Sequence, residues 1–462
     1  VEETGGLIHM DQLPVGDPTL SAKEIVGNES QERMGIVIRE EDIEHIRQIA
    51  DRERAPFYVV GETTGDHRFV FEQTDGVKPI DLAMEDMFGK APRTVMTDRT
   101  VEETYEDVTY DQTQLDEYVE RVLQLEAVAC KDWLTNKVDR SVTGKIARQQ
   151  CQGEIQLPLS DCGVVALDYR GRAGIATSIG HAPQAALVDP AAGSVLSIAE
   201  ALTNIVWAPL SEGLDSVSLS ANWMWPCKNE GEDARLYRAV EACSDFACSL
   251  GINIPTGKDS LSMTQKYGKD KVYSPGTVII SAGAEVSDIR KVVSPVLRTG
   301  VDSMVYYIDF SFDKLKLGGS AFAQSLDKIG KEVPTVQDSE YFANAFNAVQ
   351  ELINKELILA GHDISAGGMI TTMLEMNFAN TEGGLEVSLD EIPEKDLVKI
   401  LFSENPGILI QVEKTDEVEK ILKKAGVAFI RLARPCDERH LLIHKDGADY
   451  QFFIDHLRDV WF

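Results

Sequence analysis

SVLSIAEALTNIVWA, residues Ser194–Ala208, read with the aspartate of PLSDCG at Asp161, decides how the rest of the chain is understood. The spacing predicts a helix. On it Glu200 and Asn204 stand four residues apart and project from one face, one turn above the other, while Val195, Ile198, Leu202 and Ile205 form an apolar stripe on the opposite side. A carboxylate and an amide oxygen are thus presented together, and Asp161 can add a third hard oxygen. Magnesium carrying a nucleotide phosphate takes such a set: oxygens only, few carboxylates, the rest water and phosphate. Equally, the two polar residues suit the solvated face of an ordinary amphipathic helix, so the site needs support from elsewhere.

Bulk properties narrow the class. At 462 residues the chain is long enough for two or three compact domains, and an apolar fraction of 43% is that of a soluble globular protein. A formal charge of -31 speaks against nucleic acid and against an anionic membrane surface, both of which need clustered Lys and Arg. A phosphate-bearing small ligand remains compatible, because a bound metal ion reverses the local field. No apolar run has the length of a membrane span, and no basic-then-apolar leader opens the chain. Seven scattered cysteines give neither a disulfide framework nor a zinc pattern, which suits a reducing cytoplasm. Because VEETGG at Val1–Gly6 reads like the interior of a longer protein, the chain is expected to be a fragment.

Strand and helix signals interleave without the strict βαβ rhythm of a Rossmann chain, which predicts an α+β fold of mixed sheets with helices on one face. Residues 1–89 read as half of an α+β layer: GIVI (Gly35–Ile38) as a strand, EEDIEHIRQIADRE as a helix, PFYVVGE as a strand again. Residues 90–130 read as an acidic connector ending in a helix, QLDEYVERVLQLEAVA. The body divides into 131–290 and 291–462. In the first part CGVVALDY, GIATSIG, SVSLSANW and GTVIISAGAEV alternate with Ser194–Ala208 and a helix over Asp233–Leu250, whose inner side should carry Leu236, Val240, Cys243 and Ala247. In the second, SMVYYIDF, GILIQV and HLLIHK are strands and SEYFANAFNAVQELINKE a helix.

Further chemistry clusters in this body. GHDISAGG (Gly361–Gly368) follows the apolar run LILA and precedes MITTMLEMNFA, so a strand feeds a glycine-rich turn into a helix start. Such a turn offers free backbone N–H groups to a phosphate. Asp363 could ligate a metal there and Ser365 could donate to phosphate, although an N-cap aspartate in a tight turn would look the same. LGGSAF (Leu317–Phe322) repeats the theme more weakly. PTGKDSLSM (Pro255–Met263) puts Lys258 and Asp259 in a loop between strands, without the GxxxxGK[ST] spacing of a P-loop.

Together these strings resemble the large, single-polypeptide form of the phosphoribosylformylglycinamidine synthases, glutamine-dependent ligases of purine biosynthesis. NESQERM (Asn28–Met34), RERAPFYVVGE (Arg52–Glu62), DRSVTGKIARQQ (Asp139–Gln150), PLSDC (Pro158–Cys162), AEALTNI (Ala199–Ile205), LSANWM (Leu219–Met224), GEDARLY (Gly231–Tyr237), PTGKDSLSM and GHDISAGG follow in family order across nearly the whole chain. The resemblance implies the architecture shared with aminoimidazole ribonucleotide synthetase: a paired N- and C-terminal subdomain (131–290 and 291–462), preceded by the remnant of another C-terminal subdomain (1–89).

By the same resemblance the metal ligands are Asp161, Glu200, Asn204 and Asp363, and the groups contacting ATP or ADP are Lys131, Ser365 and the backbone of Ser160, where the family usually has alanine. Ala366 departs from the family's HDxSDGG, which has aspartate there. Full-length members carry a further N-terminal half and a C-terminal glutaminase, so this chain is expected to lack both and to be inactive alone. The parent reaction phosphorylates the amide oxygen of formylglycinamide ribonucleotide with ATP and displaces the phosphate with ammonia from glutamine. In the family the second pair's nucleotide site is often described as auxiliary, which leaves a structural nucleotide module as the alternative. A kinase-like α+β enzyme would use similar ligands. Self-association through 131–285 is a further expectation.

Overall fold

The structure is a computed structural model that describes the chain except residues 2, 29–32, 90–94, 139 and 141. Most of NESQERM and the start of DRSVTGKIARQQ therefore lie outside the described residues. The chain forms two compact units, Val1–Met96 and Thr97–Phe462.

In the first unit Gly6–His9 pairs antiparallel with Gly61–Thr63 and parallel with Arg68–Glu72, which pairs antiparallel with Ile80–Ala83. The helix expected from the Ile43, Ile46 and Ala50 spacing runs Ile43–Glu53. GIVI, expected as a strand, is not one: Gly35–Ile38 pairs with no strand among the described residues, and Ile36 and Val37 are exposed. A four-residue apolar run becomes a strand only when a neighbour takes its hydrogen bonds. PFYVVGE contributes only its end, from Gly61.

The second unit is built on two mixed sheets. Strands β1 (Ile146–Arg148), β2 (Gly163–Ala166), β3 (Gly174–Gly180), β4 (Ser218–Met224), β5 (Asn253–Ser260) and β6 (Thr277–Val286) form a sheet of order β5-β4-β6-β3-β2-β1. All its pairs are antiparallel except β4–β5. Residues alternate buried and exposed along β3, as expected of a sheet with helices on one face. The covering helices are α1 (Pro190–Ile205) and α2 (Glu232–Ser249). α1 starts a turn earlier than Ser194 because Asp189 accepts from Ala191 N and Ala192 N and Pro190 takes the first helical position. Ile198, Leu202 and Ile205 are fully buried as the stripe predicts. Of the stripe expected on α2, Cys243 and Ala247 are buried, together with Ala239 and Phe246, whereas Val240 is 43% exposed. Phe246 is the largest apolar side chain on that helix, and the face it buries excludes Val240. Lys258 and Asp259, expected in a loop, lie on β5 opposite Asn222 and Trp223.

The second sheet runs β8-β10-β7-β11-β9-β12-β13, from β7 (Met304–Asp309), β8 (Ala360–Ile364), β9 (Gly384–Ser388), β10 (Gly407–Val412), β11 (Ile430–Cys436), β12 (His440–Lys445) and β13 (Ala448–Phe453). Its central strands are covered on both faces. Met304, Tyr306 and Ile308 enter a core shared with α1 and with α3 (Ser339–Asn354); Val305 and Tyr307 enter another with α4 (Gly368–Phe378) and the helices Leu115–Leu123 and Ile454–Trp461. The helix read from QLDEYVERVL thus seals a core of this unit. Among the described residues no helix is long and apolar enough to cross a membrane.

Candidate functional site

Three segments of the second unit deliver carboxylates to one buried place. Asp161 comes from the turn before β2, Glu200 from the middle of α1, and Asp363 from the end of β8. The turn after β8 requires its two glycines. Gly367 and Gly368 have φ +93° and +73°, and a Cβ on Gly368 would stand 2.6 Å from Leu401 O. This turn starts α4, and Thr372 Oγ1 donates to Asp363 O (2.9 Å), binding the helix back onto the strand.

His362 is the hub. Its Nδ1 lies 2.7 Å from Asp161 Oδ1 and 3.7 Å from Asp363 Oδ1, and its Nε2 lies 3.0 Å from Glu375 Oε2 on α4. The Asp161 and Asp363 side chains are each 3% exposed. Their Oδ2 atoms are buried without a hydrogen-bond partner, and so is His362 Nδ1, whose close approach to Asp161 Oδ1 lacks hydrogen-bond geometry. Ser365 Oγ donates to Glu200 Oε1 (3.3 Å), which joins α1 to the β8–α4 turn.

The electrostatics follow from burial. Burial, then the charges of Asp363 and Glu404, hold the Glu200 carboxyl well above its ordinary value, against the Ser365 bond. Burial also raises Asp161 and Asp363, partly opposed by His362. Burial would lower His362, but Asp161 and Glu375 outweigh it and raise the imidazole well above its usual range. Burial lowers Lys131, and the Glu375 charge works against that shift. Five carboxylates, Asp161, Glu200, Asp363, Glu375 and Glu404, therefore stand among three cationic groups, His362, Lys131 and Arg148. Buried carboxylates are costly unless paired, so the cluster favours an added cation. The two orphaned Oδ2 atoms are where one would be held, and hard oxygens suit magnesium.

Asp161, Glu200, Asp363 and Ser365, picked from the sequence, are brought together. Asn204 shares the face of Glu200; its Nδ2 donates to Ile179 O (3.1 Å), and among the described residues no hydrogen bond ties its amide to the carboxylates. Lys131 Nζ donates to Ala129 O, on the Glu375 side of the cluster. The Ser160 backbone N–H, expected to serve the nucleotide, is used by Gln150 O (3.1 Å); the free group is its buried hydroxyl. Ala366 packs at the edge of the α4 core. LGGSAF is not an open anion turn. Gly318 N, Gly319 N and Ala321 N donate to Glu332 O, Ile329 O and Glu404 Oε1, and Ala323 N to the Ser320 hydroxyl. Glu404 Oε1 also takes Gly367 N (2.8 Å), pinning both glycine-rich turns.

Sequence reading missed the roles of His362, Glu375 and Glu404. The available signal was isolation: Glu375 is the one acid in the helix GMITTMLEMNF, and Glu404 is the one acid in LFSENPGILI.

Two family models match the chain. FGAR-AT PurM N-like domain covers residues 130–285, and AIR synthase related protein, C-terminal domain, covers 2–73 and 305–440. The phosphoribosylformylglycinamidine synthase of Dictyostelium discoideum is 36% identical over 449 residues, 92% of this chain and 33% of its own length. That of Homo sapiens is 37% identical over 451 residues, 93% of this chain and 34% of its own. The chain thus spans about a third of the length of the curated relatives it matches. Among solved structures, T. maritima PurL complexed with ATP aligns over 94% of this chain and 59% of that one at TM-score 0.55 and 16% identity. T. maritima PurL complexed with FGAR aligns over 74% and 53% at TM-score 0.56 and 15% identity. At such identity these likenesses establish the fold, the mixed α+β architecture of aminoimidazole ribonucleotide synthetase. The chain thus carries an FGAR-AT PurM N-like domain and AIR synthase related C-terminal domains, and over nearly all of its length it is similar to phosphoribosylformylglycinamidine synthases.

Proposed function

We propose that this chain is a magnesium–nucleotide-binding part of a ligase that converts formylglycinamide ribonucleotide to its amidine with ATP and glutamine. The observation that carries the reading is the convergence of Asp161, Glu200 and Asp363 from both subdomains, with buried carboxylate oxygens left unpaired. Related PurL structures complexed with ATP, ADP and FGAR support nucleotide and phosphoribosyl substrates as the ligand classes. Asp161, Glu200, Asp363 and Asn204 Oδ1 would hold the metal; Lys131, Ser365 and Ser160 would face the phosphates. Bound magnesium would neutralise phosphate oxygens and fix their orientation. What the chain's own residues do is separable from that. Burial of the acids at the subdomain junction excludes water, and Lys131, lowered by burial, sits close to Glu375 where it can meet an anion.

Glutamine hydrolysis and the remaining substrate contacts belong, in this proposal, to an N-terminal half and a glutaminase domain of the same polypeptide. We place the protein in the cytoplasm, which the seven free cysteines suit. Ala366, where the family has a carboxylate, favours a second reading: a nucleotide held for structure and not turned over. Calorimetry with ADP and magnesium on this chain tests the site. Magnesium-dependent binding that Glu200→Ala or Asp363→Ala abolishes is expected; equal binding by wild type and both variants would refute the assignment. An ATP hydrolysis assay then separates the readings, and no glutamine-dependent product is expected from the chain alone.

A further inference from the structure

We propose that His362 and Glu375 are positioning residues, which hold the Asp161 and Asp363 carboxylates so that each turns one oxygen toward the cation. The inference rests on the magnesium–nucleotide reading above. Its geometry lies in how the oxygens are shared out. His362 Nδ1 stands beside the Oδ1 atoms of both aspartates, at 2.7 and 3.7 Å. In both aspartates it is Oδ2 that is left buried and without a partner. One imidazole nitrogen therefore stands against Asp161 Oδ1, and more distantly against Asp363 Oδ1, while both Oδ2 atoms and, by hydrogen-bond geometry, Nδ1 itself have no partner.

The imidazole is itself fixed from behind. Glu375 Oε2 is 3.0 Å from Nε2, and Glu375 projects from α4, which Thr372 ties to Asp363 O at 2.9 Å. Helix, imidazole and carboxylates thus form one braced unit. Asp161, His362 and Asp363 each bring one possible ligand atom within 4.8 Å of one another, so the zinc titration below separates an imidazole that braces the carboxylates from one that ligates. Glu375 reaches the phosphate side too, since it is the main charge opposing the lowering of Lys131. Such outer contacts to ligating side chains commonly change metal affinity by about 10–100-fold.

The test titrates magnesium against the full chain with ADP present, and ADP against the chain with magnesium removed by chelation. Glu375→Leu and His362→Gln should each weaken magnesium-dependent ADP binding by about 10–100-fold. Glu375→Gln keeps an oxygen to accept the Nε2 proton and should recover most of that loss. Metal-free ADP binding should stay at the wild-type value in all three. A purely structural role predicts instead that metal-free and metal-dependent binding fall together with the melting temperature, and that result would overturn the proposal. So would wild-type magnesium affinity in both Glu375→Leu and His362→Gln, with the nucleotide site itself left standing. If His362 were a ligand, zinc would bind the wild type more tightly than magnesium and His362→Gln would remove that preference, which also overturns it. Absence of magnesium-dependent ADP binding by the wild type would defeat the underlying site along with this inference.

Discussion

Ser365 and Glu200, 165 residues apart in sequence, meet at 3.3 Å, with the Ser365 hydroxyl donating to the Glu200 carboxylate. The bond joins helix α1, which covers the first sheet, to the β8–α4 turn of the second, and it opposes the burial that pushes the Glu200 proton affinity up. Removing a donor from a buried acceptor costs about 1–3 kcal/mol. Ser365→Ala should therefore lower the unfolding free energy of the metal-free chain by roughly that amount in urea melts. An unchanged urea midpoint would mean the bond contributes nothing.

Gly180 ends β3 directly beneath α1. A Cβ there would lie 2.2 Å from Ser197 O and 2.3 Å from Ala201 N, so alanine must lift the helix that carries Glu200 and Asn204. Forcing atoms into a packed interface costs about 1–3 kcal/mol. Gly180→Ala should lose stability on that scale and weaken magnesium-dependent ADP binding. Gly283→Ala, whose Cβ would meet nothing nearer than 4.0 Å in the same sheet, should do neither.

Leu202 is fully buried in α1, whereas Val240 in α2 is 43% exposed. Leu202→Ala should cost about 2–5 kcal/mol through lost burial and a residual cavity. Val240→Ala should stay within roughly 0.5 kcal/mol. Guanidinium melts of the two variants compare the helix faces directly; a large loss at Val240 would show that the buried side of α2 has been misassigned.

Glu404 supplies a pH dependence. Burial raises its carboxyl from 4.5 to about 7, against the N–H bonds of Gly367 and Ala321. The folded chain thus holds this proton more tightly than the unfolded chain does. Its contribution is complete below pH 4.5 and is lost as pH rises from there through about 7. The loss amounts to at most about 3 kcal/mol. Glu404→Gln can still accept both N–H groups and should flatten this part of the metal-free stability profile, measured by thermal melts from acid to neutral pH. A profile of unchanged slope would show that Glu404 does not titrate in this window.

Local pattern made much of the fold legible. The strands SMVYYIDF, GILIQV and HLLIHK and the helix Ser339–Asn354 are long apolar or periodic runs whose type follows from the segment itself. GIVI failed because a strand exists only with a partner, and nothing in four residues names the partner. Val240 is exposed because the neighbouring layer packs on the side of α2 that carries Ala239, Cys243, Phe246 and Ala247, a choice the helix's own spacing does not make. Lys258 and Asp259 were placed in a loop on composition, yet β4 offered them a parallel edge.

By itself the sequence determined which residues could serve a phosphate and a hard cation: the acids and amide of PLSDC, EALTN and GHDIS, each tied to a recognisable local element. Tertiary structure alone decided that Asp161, Glu200, Asp363 and Ser365 meet, and that His362, Glu375 and Glu404 stand among them. Proximity between segments hundreds of residues apart depends on sheet order and on which faces pack. A lone buried acid reveals its role only through the charge or N–H group that packing sets beside it.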